Sequence, residues 1–391
     1  MAVEVSYVII TPYSLLKSRT GGIIARLMSR TDLEFIGAQM LPFSKEMAEG
    51  YARELEKGAN AEVGKLLADY VRANFPPCDN GQCERAMMLL VRGEDACAKL
   101  SKIVGRLSAS SPRDLSAGET LRDTYADLIE DKDNPGVVRY FEPAVLTPPD
   151  SDEAIPKLRL FAKWADDSAN IVENSVGSTP SDQRTLVIIK PDNWRHPSSR
   201  PGNIIDMLSR TGLRIVGCKV HRMSIDDALE FYGAVRGALH SKLAPKIGAK
   251  AKEILERELC IKLPEESVAK LTDSVGMCYA DDQFSQIIEF MAGRRPEGTT
   301  PEERQCQNNA AKCLILIYEG EDAIAKIRKV LGPTDPAKAP GGTVRHDYGR
   351  DVMVNTAHAS DSPESVAREM KVVRITQNSM SERIKEYLAA K

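Results

Sequence analysis

Histidine is scarce in this sequence: five occur in 391 residues, and none precedes position 196. An excess of charge of one sign is also missing. The formal net charge of -3 offers no basic field for nucleic acid and no acidic tail, so partners have to be argued from sites. No run approaches the ~20 apolar residues that span a bilayer, and the opening MAVEVSYVII lacks a basic segment ahead of a long apolar one. The chain therefore reads as cytoplasmic, with no membrane partner. Eight cysteines are too sparse for a disulfide scaffold and form no pair of C-x-x-C clusters. Most read as small buried hydrophobes, and Cys78 with Cys83 supplies at most half of a metal site. There is no G-x-x-x-x-G-K-[ST] loop, which excludes P-loop chemistry.

What is present is length and repetition. The chain exceeds the ~250 to 300 residues at which single cores stop growing, so two domains are expected. LMSRTDLEFIGAQM (27–40) parallels MLSRTGLRIVGCKV (207–220), and MMLLVRGEDACAKLSKIVG (87–105) parallels CLILIYEGEDAIAKIRKVLG (313–332). GETLRD (118–123) parallels GGTVRH (341–346), and the order is the same in both copies. Between them, VENSVGSTPSDQ (172–183) has linker composition. The expected domains are residues 1–175 and 176–391.

Each copy alternates short apolar runs with amphipathic helices. In the second these are TLVIIK, GNIIDMLSRT, LRIVGCKV, SIDDALEFYGAV, KCLILIY and GEDAIAKIRKVLG. Gly212 and Gly332 stand where helix C-caps are expected, and Ser224 where an N-cap is expected. Strands and helices that intermix in this way predict an α/β layer, and a βαββαβ unit fits.

The stretch VNTAHASDSPES (354–365) places His358 just before a helix start, with Asp361 or Ser362 available as N-cap and Pro363 suited to the first turn. Read alone, such a histidine is more often a surface or packed turn residue than a nucleophile. Lys190 ends an apolar strand, and the Pro/Gly-rich loop after Arg328 holds Thr334 and Arg345. One imidazole, three cations and several hydroxyls are what phosphoryl transfer requires, because that reaction depends on positioning and on neutralising charge.

At this point the residues resemble a known family. TLVIIKPD, FY at 231–232, YEGEDAIAKIRKVLGPTDP, PGGTVR and NTAHASDSPESVAREM resemble, in order and spacing, the nucleoside diphosphate kinases. The last segment is similar to that family's N-x-x-H-G-S-D-S-x-E signature. The resemblance implies two tandem ferredoxin-like βαββαβ domains and ping-pong exchange of the γ-phosphate between nucleoside tri- and diphosphates, with Mg²⁺ and no metal ligands assigned on the protein. It implies that His358 is the phosphorylated residue, supported by Ser360 and Glu369. Lys190, Tyr232, Phe284, Arg328, Thr334, Arg345 and Asn355 are implied to contact nucleotide. The pattern departs at Ala359 and His346, where the family has glycines, and at Gln283, the first of a pair of phenylalanines. The segment between Tyr232 and Cys313 is longer than the family uses, which marks a helical insertion at about 235–282.

The first copy lacks this chemistry: Thr11 stands for the lysine, Ser101 for Arg328, and Thr147 approximately for His358, while Arg122 persists. It is expected to be a pseudo-enzyme domain packed on the second as an intramolecular pseudo-dimer, within a low-order assembly. The alternatives are a weakly active nucleotide-binding scaffold or regulator, and phosphotransfer from the histidine to protein acceptors.

Overall fold

The computed structural model describes residues 3–107, 119–131, 133, 134, 138–307 and 310–391. Gly118, with which one repeated motif begins, lies outside them. The chain divides into two compact units: Met1–Val220 with Leu314–Met370 and Arg374–Lys391, and His221–Cys313 with Lys371–Val373.

The first copy of the repeat runs β1 (Val3–Ile10), α1 (Thr20–Ser29), β2 (Glu34–Leu41), α2 (Lys45–Glu56), α3 (Ala61–Asn74), β3 (Ala86–Glu94) and α4 (Ala96–Val104). It continues through a small hairpin, β4 (Asp127–Glu130) and β5 (Val138–Glu142), to β6 (Val145–Leu146) and α5 (Ser151–Asp167). The second copy runs β7 (Gln183–Ile189), α6 (Arg200–Ser209), β8 (Arg214–Arg222), α7 (Ile225–Ala238), α8 (Ala244–Leu259) and α9 (Met277–Ala292). It continues with β9 (Lys312–Gly320), α10 (Ala323–Leu331), β10 (Ala357–Ala359), α11 (Pro363–Val372) and α12 (Met380–Ala389). The sheets have the orders β2-β3-β1-β6 and β8-β9-β7-β10, the same ferredoxin-like order twice.

The repeats agree down to backbone detail. Asp95 and Asp322 both adopt left-handed backbone, with φ of 50° and 51°, immediately before α4 and α10. Gly105 and Gly332 close those helices at φ of 89° and 80°, where a side chain would be strained. Ser224 caps α7 in a reciprocal capping box with Asp227. Leu186 to Ile189 are buried without alternation, as expected of a strand covered on both faces.

Within the first unit, α1 lies directly on α6. A Cβ on Gly202 would come within 2.1 Å of the Ala25 nitrogen, and one on Gly21 within 2.4 Å of the Asp206 nitrogen, so the two backbones are in contact. Around this crossing a single apolar cluster draws on both copies, joining Ile10, Ile24 and Leu27 to Ile189, Ile205 and Leu208. The ends of the copies also cross over. Val172 N donates to Val216 O of β8 at 2.8 Å, while Met380 and Ile384 of α12 enter the first copy's outer core with Tyr7, Tyr51 and Phe161. Asn170 and Asn378 meet at the crossing, Asn378 Nδ2 donating to Asn170 Oδ1 at 3.0 Å.

The second unit is mainly helical. It holds α7, α8, α9, a short helix at Ser267–Leu271, and two π-helical turns at Leu239–Leu243 and Thr272–Gly276. Gly248 of α8 and Thr272 are in close apposition within it, a Cβ at 248 falling 2.2 Å from Thr272 Oγ1. The cysteines differ from expectation: only Cys97, Cys218 and Cys313 are buried. These three lie in strands or a core helix, whereas the others fall on loops, the end of α8 and the outer side of α9.

Candidate active site

β10 is three residues long and pairs antiparallel with β7, His358 standing opposite Ile188. Thr356, at φ +68°, turns the chain into it. Ser362 then starts α11, its Oγ accepting from Ser365 N at 3.2 Å, with Pro363 as the first helical residue. This brings Glu369, two turns along α11, back beneath the strand. His358 Nε2 lies 2.8 Å from Glu369 Oε2, and the Ser360 hydroxyl donates to the same oxygen at 2.7 Å. The Glu369 side chain is 4% exposed and the His358 side chain 22%, so the carboxylate is sequestered and the ring is reachable. Arg368 Nη2 reaches Glu369 Oε1 at 3.4 Å.

Lys190 follows β7 and is fixed at both ends. Its amide donates to Thr356 O at 2.9 Å, and its Nζ donates to Asn355 Oδ1 at 2.7 Å. Asn193 Nδ2 ties the same turn to Thr356 O at 2.8 Å, and Trp194 Nε1 donates to Ile189 O at 3.1 Å. Burial, with the Arg345 charge second, pushes the Lys190 ammonium down to about 8. Asn355 Nδ2 in turn holds Thr334 O at 3.1 Å and Val352 O at 2.8 Å, so the loop after α10 is drawn against the lysine.

Arg345 sits in the one-turn helix Val344–Tyr348 and donates to Gly332 O at 2.8 Å and Ala357 O at 3.1 Å. It thus joins the end of α10 to the residue before His358. Arg328, on the exposed side of the last turn of α10, and His358 both help hold the Asp361 carboxyl below its ordinary range, after the hydrogen bond from Ser365. Lys190, Arg328, Arg345, Thr334 and Asn355 therefore converge around β10, as do His358, Ser360 and Glu369.

Tyr232 and Phe284 belong to the second unit, where both are buried. Phe284 carries the Arg236 guanidinium 5.8 Å from its ring centroid. The two glycine replacements cost no backbone strain: Ala359 is in strand β10 and His346 is helical, and neither has positive φ. His346 is exposed and its Nδ1 lies 2.7 Å from Asp347 Oδ1.

One correspondence needs correcting. Register places Leu146 opposite Ile9 as His358 stands opposite Ile188, so Leu146, not Thr147, holds the histidine's place in the first copy. Counting along the chain gives Thr147 only when the strand pairing is unknown. A second arrangement escaped sequence reading. Arg200 Nη2 donates to Asp192 Oδ2 at 2.9 Å and to Tyr348 O at 2.6 Å, joining partners 156 positions apart, a distance no local motif spans. Among the described residues no group of three or more His, Cys, Asp and Glu side chains converges as a metal cage.

Comparisons with known proteins bear on the family. A family model described as nucleoside diphosphate kinase matches residues 304–377. The nucleoside diphosphate kinase of Staphylothermus marinus is 30% identical over 191 residues, 49% of this chain and 92% of its own length. That of Hydrogenovibrio crunogenus is 48% identical over 188 residues, 48% of this chain and 89% of its own. A solved NDP kinase from Pyrobaculum aerophilum aligns along its whole length to 50% of this chain at 25% identity, with a TM-score of 0.34. On the strength of the sequence relatives, this chain belongs to the nucleoside diphosphate kinase family.

Proposed function

We propose that the second copy exchanges the γ-phosphate between nucleoside tri- and diphosphates by a ping-pong mechanism, with His358 as the covalent carrier. The observation that carries this is the chain Ser360–Glu369–His358, at 2.7 and 2.8 Å, beside Arg345, which donates to Ala357 O of the same strand, and Lys190, which is held by Asn355 and Thr356 just before it. With its proton kept on Nε2 by the buried carboxylate, the imidazole bears its in-plane lone pair on Nδ1. Nδ1 attacks the γ-phosphorus; the bond to the bridging oxygen breaks, and the diphosphate leaves with the electron pair. In the second half-reaction a terminal oxygen of an acceptor diphosphate attacks the phosphorus, and the N–P electrons return to Nδ1. Lys190, Arg345 and Arg328 neutralise charge on the transferring group, and Glu369 stabilises the ring as it becomes cationic.

Mg²⁺ fits this site as a companion of the nucleotide, because no protein cage is present among the described residues and this ion is commonly held by phosphates with one or two carboxylates. Asp361, beside His358, is the carboxylate that would share it. The ion supplies charge neutralisation between phosphates. The same reading takes residues 1–175 and 176–391 as two domains joined in one chain as a pseudo-dimer, supported by the α1–α6 contact and the shared core. The first domain is taken as inactive, because Leu146 fills the histidine's place inside an apolar cluster with Tyr7, Tyr51 and Phe161. A cytoplasmic location is part of the same proposal; no helix among the described residues is long and apolar enough to cross a membrane. The test is incubation with γ-labelled ATP. Acid-labile label that passes to an added nucleoside diphosphate, and is lost in His358→Ala, is the expected outcome; label retained in that variant removes His358 from the mechanism.

A further inference from the structure

We infer that Arg200 is a positioning residue for phosphoryl transfer, locking the turn that carries Lys190 to the turn that carries Arg345. Asp192 lies two residues after Lys190, and Tyr348 three after Arg345. A single guanidinium nitrogen, Nη2, bridges them, at 2.9 Å to Asp192 Oδ2 and 2.6 Å to Tyr348 O, while the guanidinium carbon sits 6.0 Å from the Tyr348 ring centroid. The Asp192 side chain is 7% exposed, and burial pushes its carboxyl up against the pull of Arg200 and Lys190. A carboxylate in that position needs a directional donor to stay ionised and in place. Arg200 is also the first residue of α6, whose Gly202 backbone lies against α1, so the lock is fastened to one of the most closely packed helix contacts in the unit.

The first copy contains a related contact without the chemistry: Tyr13 stands where Asp192 does, its ring centroid 5.2 Å from the Arg19 guanidinium carbon, and the acidic neighbour lies instead two residues past Tyr125. Arg19 Nη1 donates to Tyr125 O at 2.6 Å, with its other terminal nitrogen 3.9 Å from Asp127 Oδ2. Tyr125 follows Arg122 by three positions, as Tyr348 follows Arg345. The bond to the tyrosine carbonyl is therefore a feature of the fold in both copies, whereas the carboxylate bridge belongs to the second, where it sets the separation of two phosphate-binding cations. A displacement of ~1 Å in such groups can cost up to 10²-fold in rate. Arg19 supplies an internal control that separates holding the fold from holding the site.

The inference rests on the proposed kinase reading, and full-length protein with Arg200→Gln, Arg200→Lys and Arg19→Gln tests it. Each variant is measured for γ-phosphate exchange, for melting temperature, and for amide hydrogen exchange over residues 190–194 and 344–348. For Arg200→Gln the expected result is kcat lowered by ~10-fold, nucleotide KM changed by less than ~3-fold, and faster amide exchange in both turns together. Arg200→Lys should recover part of kcat, because an ammonium can hold one acceptor well but not both in the guanidinium geometry. Arg19→Gln should lose a similar amount of thermal stability at unchanged kcat. Full kcat in Arg200→Gln, or an equal kcat loss in Arg19→Gln, would overturn the inference. Failure of the wild-type protein to exchange phosphate is a different result: it removes the kinase reading. The amide exchange then decides the lock, which falls if the two turns stay as protected as before.

Discussion

At the end of its first strand one copy of the repeat carries Lys190 and the other Thr11, and the surroundings of each have changed to match. Lys190 donates to Asn355; Thr11 donates to the buried carboxyl of Glu142, which also accepts from Tyr70 and from Ala144 N. Where His358 stands in one strand, Leu146 packs in the other. The seventh residue of the following helix is Glu369 in one copy and Lys157 in the other, the latter paired with Glu153 at 2.6 Å. What has not changed is equally informative. Arg122 donates to Gly105 O at 2.5 Å and Val145 O at 3.3 Å, as Arg345 does to Gly332 O and Ala357 O. Ala144 and Thr356 both turn the chain at positive φ, 64° and 68°. The groups common to both copies hold backbone, and the groups that differ are ones the proposed transfer reaction would use; Arg345 is assigned to both tasks.

The hardest way to break this comparison is to move the histidine. His358→Ala should abolish phosphoenzyme, and adding Leu146→His to it should restore none, because the new ring would face Tyr7, Tyr51 and Phe161 instead of a carboxylate. Label on the double variant would show that the first copy retains a usable site. Next come the paired arginines. Arg345→Ala and Arg122→Ala should each lower stability by on the order of 3 kcal/mol, since each removes two charge-assisted bonds to backbone carbonyls. Only Arg345→Ala should also lower turnover, by ~10²-fold. Equal turnover losses would mean that the arginine acts on the site through the fold alone.

A smaller effect follows from Lys190. Its ammonium deprotonates near pH 8 in the folded chain, and the unfolded chain keeps its proton to about 10.5. Transfer should therefore decline as pH rises through about 8, while stability gains over the interval from there to the unfolded value, because the unfolded state then binds more protons. Lys190→Arg should move the decline upward. A pH profile with the same falling limb in that variant would assign the limb to another group.

The strands and helices were legible because each is short, apolar and bounded by recognisable caps: TLVII, the GED turns and Ser224 all behave as their local chemistry requires. The histidine, its serine and its carboxylate were legible because they lie within 12 residues of one another, on a strand and the helix that follows it. The Arg200 clamp and the Thr11–Glu142–Tyr70 cluster were not, since each depends on contacts between residues far apart in sequence whose meeting is decided by the sheet. Arg122 was visible as a survivor, but its reason was not. Only the two carbonyls it holds explain why an arginine remains where the other positions of the candidate site differ.

The finest test of the comparison is Thr11→Val, which keeps shape and removes a hydroxyl. That hydroxyl accepts from Ser14 N at 3.2 Å and gives its one hydrogen to Glu142 Oε1 at 2.8 Å, Ala144 O lying farther off at 3.1 Å and already served by Ser14 Oγ at 2.9 Å. The loss should be ~1 to 2 kcal/mol, a helix cap and one bond to a charged group, with turnover unchanged. Its pH dependence carries the sharper statement. Burial raises the Glu142 carboxyl above its ordinary range, so the stability tied to its proton is complete below the unfolded value and is lost as pH rises through the folded one. Removing a donor to the ionised form raises the folded value further. The difference between Thr11→Val and wild type, from urea midpoints, should accordingly be larger at pH 7 than at pH 4. An equal difference at the two values would mean that Thr11 serves only as a cap, and that the lysine's replacement has no part in holding the buried carboxylate.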